Sequence, residues 1–315
     1  MIGSVAGAGT EALHHLQTSF SRFMNTGHPT RQLGSLLSEI LGEEPTSIQP
    51  LHGGCIADVY RTEFGDCIRY AVKYDTGDSP KLDREGYMLE ILKHAGMPVP
   101  RVVLCQADLL VMTYIENDGK RSAVGEKQLG EVLADLHSNT SDRYGLDCDT
   151  PIGPLDQFNA WNQQWARFYA EKRIRPLADS ARSNGSVTED VHERLLRLCS
   201  RMDECIPDSN PPSLIHGDLW SGNMLWHGGK LAGLIDPAVY YADPEVELAF
   251  IDLMGGVSEA FWETYDSRRP IKPGFRELRC DLYQLYPLLV HAVLFGGGYG
   301  ASVDATLLRV ELQLS

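Results

Sequence analysis

The chain has 315 residues, 23% of them charged, and a formal net charge of −15 at pH 7. That balance excludes a broad nucleic-acid or anionic-membrane surface, because phosphate affinity is carried by clustered Lys and Arg. The length suffices for one large or two modest domains whose core needs no disulfide or metal staple. Seven cysteines, Cys55, Cys67, Cys105, Cys148, Cys199, Cys205 and Cys280, occur without any CxxC pair. Neither a zinc site nor a disulfide framework is suggested, and a reduced, cytoplasmic protein is expected. The N-terminus lacks a basic segment followed by an apolar one. The longest apolar stretch, Leu282 to Phe295, is interrupted by Gln284, Pro287 and His291, so neither an export signal nor a membrane span is expected.

Residues 1–30 match no motif and read as an N-terminal extension, flexible or helical. From Thr46 the chain turns β-rich. "TSIQPL" precedes Gly53-Gly54, "DVYRT" precedes a turn at Phe64-Gly65-Asp66, and "CIRYAVKY" completes a hairpin pattern. "LDREGYMLEILKHAG" predicts a helix with apolar Leu82, Tyr87, Leu89, Ile91 and Leu92, stopped by Gly96 and Pro98. Strands "RVVLCQ" and "LLVMTYIE" follow. Residues 31–115 thus predict a small lobe with a mostly antiparallel five-stranded sheet and one main helix. Beyond the polar segment "YIENDGKRSAVG", helical spacing takes over at Leu129, Val132, Leu133 and Leu136, at Trp161, Trp165 and Phe168, and at Val191, Leu195, Leu198 and Met202. Residues 116–315 predict a larger, mainly helical lobe. The fold class is α+β, with a ligand cleft expected where the lobes join.

The stretch "LIHGDLWSGNMLWHGGKLAGLIDP", residues 214–237, sets Asp218, Asn223 and Asp236 among apolar residues. Gly228-Gly229 suits a two-residue hairpin turn with positive φ. Counting outward from it, Asn223 faces Leu234 and lies diagonal to Asp236, about 7–8 Å away at Cα. A carboxylate and a carboxamide oxygen meeting there suit Mg2+, which prefers oxygen ligands and keeps water or phosphate in its other positions. Asp218 then stands beside the metal as a base for an attacking hydroxyl, the arrangement phosphoryl transfer needs. The competing reading makes Asp218 and Asn223 turn-capping Asx residues. Lys73, on the apolar strand "RYAVKY", requires an anion if it faces inward, and Glu85 in the next helix can supply it. Taken alone, that pair reads equally as two surface charges.

The set "GGCIADVYR", "YAVKY", "REGYMLEIL", "HGDLWSGN" and "LIDP" resembles the protein-kinase-like fold of aminoglycoside and choline phosphotransferases. "NAWNQQWARFYAEKRIRP", "YYADPEVELAF" and "LYQLYPLLVHAVLFGGGY", together with Trp220, narrow the resemblance to the fructosamine-3-kinase (ketosamine-3-kinase) family. It covers the chain from about Gln32 to the C-terminus. The resemblance implies ATP and Mg2+ as cofactors, Asp218 as catalytic base, and Asn223 and Asp236 as metal ligands. Lys73 and Glu85 become the ATP-positioning pair, Gly53 and Gly54 part of the phosphate loop, and Met112, Thr113, Tyr114 and Ile115 the hinge that binds adenine. His216 is expected to brace the catalytic loop. Pro237 after Asp236, and the absence of an A-P-E segment, argue against control by loop phosphorylation.

In that family the acceptor is a ketosamine, and the 3-hydroxyl of a fructosamine or ribulosamine on a protein lysine or small amine receives the phosphate. Trp220, Asn159 and Trp161 are the expected sugar contacts, while Trp165 and Phe168 on the same helical face read as core. Asp243 and Glu245, with Glu247, either attract the cationic amine or favour a helix start. Cys55, beside the phosphate loop, is either a redox-sensitive thiol or simple packing. A monomer or dimer is expected. An amino-alcohol kinase with the same machinery and a non-catalytic nucleotide-binding scaffold are the rival readings.

Overall fold

The computed structural model describes residues 29–51, 57–206 and 210–314. The described residues fall into two compact units, residues 29–49 with 62–68, and residues 50–51 and 57–61 with 69–206 and 210–314. In the first, helix α1 (Pro29–Leu41) buries Leu33 and Leu37, four residues apart on one face, and Gly34 lets the side chain of Ile48 approach. This helix was not among the expected elements, although its leucine spacing is legible. Glu43 accepts a hydrogen bond from the Gly65 N–H at 3.0 Å, which fixes the turn that precedes Cys67 with its positive φ of 61°.

Strands β1 (Ser47–Leu51) and β2 (Asp58–Glu63) each run across the unit boundary. With β3 (Arg69–Tyr74), β4 (Val102–Cys105) and β5 (Leu109–Thr113) they form the expected five-stranded sheet, in the order β1-β2-β3-β5-β4. β5 pairs antiparallel with both β3 and β4, and Lys73 lies opposite Leu110. Helix α2 (Leu82–His94) buries Leu82 and Leu89 against Leu110 and Met112 of β5. Burial of each such side chain contributes roughly 1.5–3 kcal/mol.

The remainder is helical, as expected. α3 (Ala123–Leu136) is capped by Ser122 and followed by the short hairpin of β6 (Thr150–Ile152) and β7 (Leu155–Gln157). α4 (Trp165–Tyr169) passes through a π turn (Ala170–Ile174) into α5 (Arg175–Ser183); α6 (Glu189–Ser200) and α7 (Met202–Cys205) follow. The expected helical face running from Asn159 to Tyr169 is therefore corrected. Asn159 to Gln164 is not helical, and Asn162 bridges in extended form to Tyr144. After β8 (Ser213–Ile215), β9 (Met224–His227), β10 (Lys230–Leu234) and β11 (Tyr240–Ala242) come α8 (Glu245–Phe250), α9 (Glu259–Arg268), α10 (Cys280–Phe295) and α11 (Tyr299–Gln313).

The longest apolar stretch is α10, a core helix in which Leu282, Tyr283, Leu285 and Leu289 are wholly buried. Pro287 inside it has no N–H to offer the Tyr283 carbonyl one turn back. The Tyr169 hydroxyl lies 3.1 Å from that carbonyl and donates in its place. Among the described residues no helix is long and apolar enough to cross a membrane.

Candidate active site

The stretch that carries Asp218, Asn223 and Asp236 is a β8–loop–β9 turn followed by a hairpin. Gly228 and Gly229, with φ of 56° and 78°, make the expected two-residue turn and set Lys230 opposite His227. The expected register beyond Leu231 is corrected. An irregularity between Leu231 and Gly233 pairs Met224 with Leu234, one residue further on than simple counting gives. Asn223 consequently faces Ile235, whose N–H donates to the Asn223 carbonyl at 3.1 Å. The slip brings Asn223 closer in sequence register to Asp236, whose backbone carbonyl lies 3.4 Å from Asn223 Nδ2.

Asp218 sits in the loop, partly buried. Asn223 Nδ2 donates to Asp218 Oδ2 at 2.9 Å and to the Asp218 carbonyl at 2.8 Å. The Asn223 carboxamide is thereby oriented with its nitrogen on Asp218, leaving its oxygen as the end free to ligate. Burial first, and the neighbouring charge of Asp236 second, push the Asp218 carboxyl up to about 7 against the Asn223 hydrogen bond. Gly217, with φ of 86°, is required here, since a Cβ would lie 2.1 Å from the Ala238 carbonyl oxygen. His216 is fully buried and its Nδ1 accepts the Asp218 N–H at 3.3 Å, so it braces the loop; burial holds it below the usual histidine range.

Lys73 points inward from β3. Its Nζ lies 2.8 Å from Glu85 on α2 and 2.7 Å from Asp236 Oδ1. Burial works to neutralise this amine, but the two carboxylates outweigh it and raise its pKa, so it stays charged. The contact with Asp236 was not foreseen, because nothing in local sequence links residues 163 apart. Asp236 has a left-handed φ of 56°, uncommon for a non-glycine residue. The Val239 N–H, three residues on, donates to Met88 Sδ on α2 at 3.2 Å, so the segment after Asp236 is tied to the helix that carries Glu85.

In the segment expected to bind adenine, Met112 is buried in β5, the Thr113 N–H donates to the Arg101 carbonyl, and the Tyr114 N–H donates to that of Arg69. No acceptor for the Ile115 N–H is found among the described residues. Gly233 leaves room for the Ile115 side chain, which a Cβ would approach to 2.4 Å. Gly53, Gly54 and Cys55 lie outside the described residues.

The expected sugar contacts divide. Trp220 is 41% exposed, its ring lying over Gly222. Trp161 is partly buried, donates from Nε1 to Asp147 at 3.0 Å, stacks under Arg143 and packs against the Tyr241 ring of β11. Asn159 is corrected: it is wholly buried, its Nδ2 donates to Cys148 and Thr150, and its Oδ1 accepts from Arg173 at 2.6 Å, leaving nothing for a sugar. Asp243 and Glu245 are corrected likewise. Asp243 accepts from Asn210 and the Glu245 N–H, and Glu245 pairs with Arg279 at 2.5 Å, both buried inside the protein and facing no amine.

Glu247 is the residue that sequence reasoning undervalued. It is buried, and accepts the Gly217 N–H at 2.7 Å and the His216 N–H at 3.2 Å. Its signal was present: acids at 245 and 247, alternating with apolar residues in a helix that is buried throughout.

Residues 30–313 match the family model for fructosamine kinase. The chain belongs to the fructosamine kinase family. It is 33% identical over 269 residues to a Lactiplantibacillus plantarum protein named probable ketoamine kinase, covering 83% of this chain and 93% of that one. Against ketosamine-3-kinase of Mus musculus the identity is 32% over 290 residues, 79% of this chain and 90% of the relative. The crystal structure of a candidate fructosamine-3-kinase from Thermobifida fusca superposes with a TM-score of 0.81 at 30% identity, over 89% of this chain and 98% of that one. The fold is thus that of the protein-kinase-like phosphotransferases. As a fructosamine kinase the chain is an ATP-dependent enzyme with an alcohol group as acceptor.

Proposed function

We propose that this fructosamine kinase transfers the γ-phosphoryl group of ATP to the 3-hydroxyl of a ketosamine, a fructosamine or ribulosamine borne by a protein lysine or a small amine. The observation that carries the reading is Asp218 held by Asn223 beside the Lys73–Glu85–Asp236 cluster, with an exposed indole, Trp220, two residues away on the same loop. Asp218 accepts the proton of the acceptor hydroxyl as the O3–P bond forms and the bond from phosphorus to the β-phosphate oxygen breaks, releasing ADP. Its raised carboxyl, at about 7, suits a base that takes a proton near neutrality. Lys73, kept charged and oriented by Glu85, supplies a point charge to the nucleotide phosphates. The Ile115 N–H suits an adenine acceptor.

The donor set at Asn223 and Asp236 fits Mg2+: oxygen ligands only, one carboxylate and one carboxamide whose nitrogen is already turned away. When bound, the ion neutralises phosphate charge. Among the described residues no group of three or more His, Cys, Asp and Glu forms a metal cage, which agrees with a site completed by phosphate and water. Trp220 offers a face for a sugar ring. Phosphorylation at O3 makes the sugar–amine adduct unstable, so the reaction serves deglycation in the reducing cytoplasm. The rival acceptor class is an amino alcohol or aminoglycoside. ATP consumption measured side by side with ribulosamine, fructosamine, choline and kanamycin separates them; turnover of the last two without the first two overturns the ketosamine reading.

A further inference from the structure

The loop from Asp218 to Asn223 closes on itself. Asn223 Nδ2 donates to Asp218 Oδ2 at 2.9 Å, the Trp220 N–H donates to the Asp218 carbonyl at 3.2 Å, and the Asn223 N–H donates to the Trp220 carbonyl at 3.0 Å. The main chain of Trp220 is thus held on both sides, and its side-chain torsions decide where the indole lies. They place the benzene half of the ring over Gly222, the middle residue of the 3-10 turn Ser221–Asn223. A Cβ at Gly222 would lie 2.2 Å from Trp220 Cη2 and 2.5 Å from Cζ2 and Cζ3, and these three atoms are its nearest neighbours. The backbone does not ask for glycine here, because Gly222 is not among the residues with positive φ. Trp220 and Gly222 are both exposed. The missing side chain therefore makes room for the ring and serves neither the turn nor the core.

We propose that Gly222 is a positioning residue for acceptor recognition, a seat on which the Trp220 indole rests so that the ring stands in one orientation before the sugar arrives. The inference rests on the reading of Trp220 as the ketosamine contact and goes beyond it by assigning what fixes that contact. An exposed tryptophan without such a seat samples several rotamers, and immobilising it on binding lowers affinity; a ring already seated avoids that loss. A methyl group at 222 displaces the ring and not the backbone, because the exposed indole is the end that moves more easily. Gly222 acts through Trp220 and has no side chain of its own to meet substrate.

The test compares Gly222→Ala, Trp220→Ala and the double variant with the wild type, each normalised to folded enzyme. Gly222→Ala is expected to raise KM for the ketosamine about 2–10-fold while KM for ATP stays within about twofold and Tm is unchanged. In the Trp220→Ala background the same substitution has no further effect, since no ring remains to displace. Proton NMR, which needs no acceptor, is expected to find the Gly222 Hα resonances shifted upfield by the ring in the wild type and returned to their ordinary range in Trp220→Ala. A wild-type ketosamine KM in Gly222→Ala, an equal rise in both backgrounds, or unshifted Gly222 resonances each overturn the proposal. A Gly222→Ala chain that does not fold overturns it too, because the substitution then disturbs more than the ring. Trp220→Ala with a wild-type ketosamine KM removes the sugar contact itself and the role of Gly222 with it, whereas failure of Gly222→Ala alone leaves that contact standing.

Discussion

At the scale of single residues, the side chains proposed to face the reaction differ from those that hold the protein together. Asp218→Asn is expected to lower kcat by about 10²–10⁴-fold, the usual worth of a general base, while calorimetry finds Mg-ATP affinity nearly unchanged. Asp236→Ala removes a partner of Lys73 and the proposed carboxylate ligand of the metal, and is expected to weaken Mg-ATP binding, as read by calorimetry. Trp220→Ala is expected to raise KM for the ketosamine several-fold and leave KM for ATP alone, since stacking contributes equally to ground and transition states. Asn159 behaves oppositely. Asn159→Ala removes the acceptor of Arg173 Nη2 in the buried interior and is expected to cost about 1–3 kcal/mol in denaturant unfolding with no change in sugar KM. Asp218, Asn223 and Lys73 were legible because each puts a polar group where the local pattern asks for an apolar one. Asn159, Asp243 and Glu245 misled for the same reason: a buried, satisfied polar residue and a ligand-facing one look alike until partners such as Arg173 and Arg279 are placed.

Among the elements, strands and helices with a clear period were readable, and their junctions were not. The hairpin turn followed from Gly228-Gly229, but the irregularity after Leu231 did not, because no residue type demands it and its effect is to bring Asn223 opposite Ile235. The helix of Asn159 to Tyr169 was overextended for a related reason. Aromatic residues at helical spacing occur there, yet Asn162 is captured by Tyr144 in extended form, and the helix begins only at Trp165. Proline inside α10 likewise depends on a distant partner. Tyr169→Phe leaves the Tyr283 carbonyl without the hydroxyl that replaces the missing Pro287 N–H, and is expected to cost about 1–3 kcal/mol, read as a lowered Tm with kcat per folded enzyme retained.

Over the whole molecule the buried charges set how stability responds to pH. His137 is held below its ordinary value of 6.5, by burial first and against the pull of Glu247, so the unfolded chain binds a proton that the native state refuses. Its contribution is present above pH 6.5 and is lost as the pH falls below it. Asp218 and Glu85, both raised by burial first, act in the opposite sense, so the informative quantity is a difference between variants. The Tm advantage of the wild type over His137→Gln is expected to narrow between pH 7.5 and 5.5; a constant gap would mean that native and unfolded states bind the His137 proton equally, and a widening gap that the native state binds it more tightly. The α+β class and the order of the catalytic parts were readable because each motif is local, whereas the bracing of the loop by α3, α8 and α9 joins residues scattered over more than a hundred positions. The proposed reaction is the transfer of phosphate to one hydroxyl of a ketosamine. Phosphorus–proton correlation NMR of the product formed from ATP and a fructosamine tests it directly: coupling of phosphorus to the proton on C3 is the predicted result, and coupling at another carbon, or no phosphorylated ketosamine at all, would contradict it.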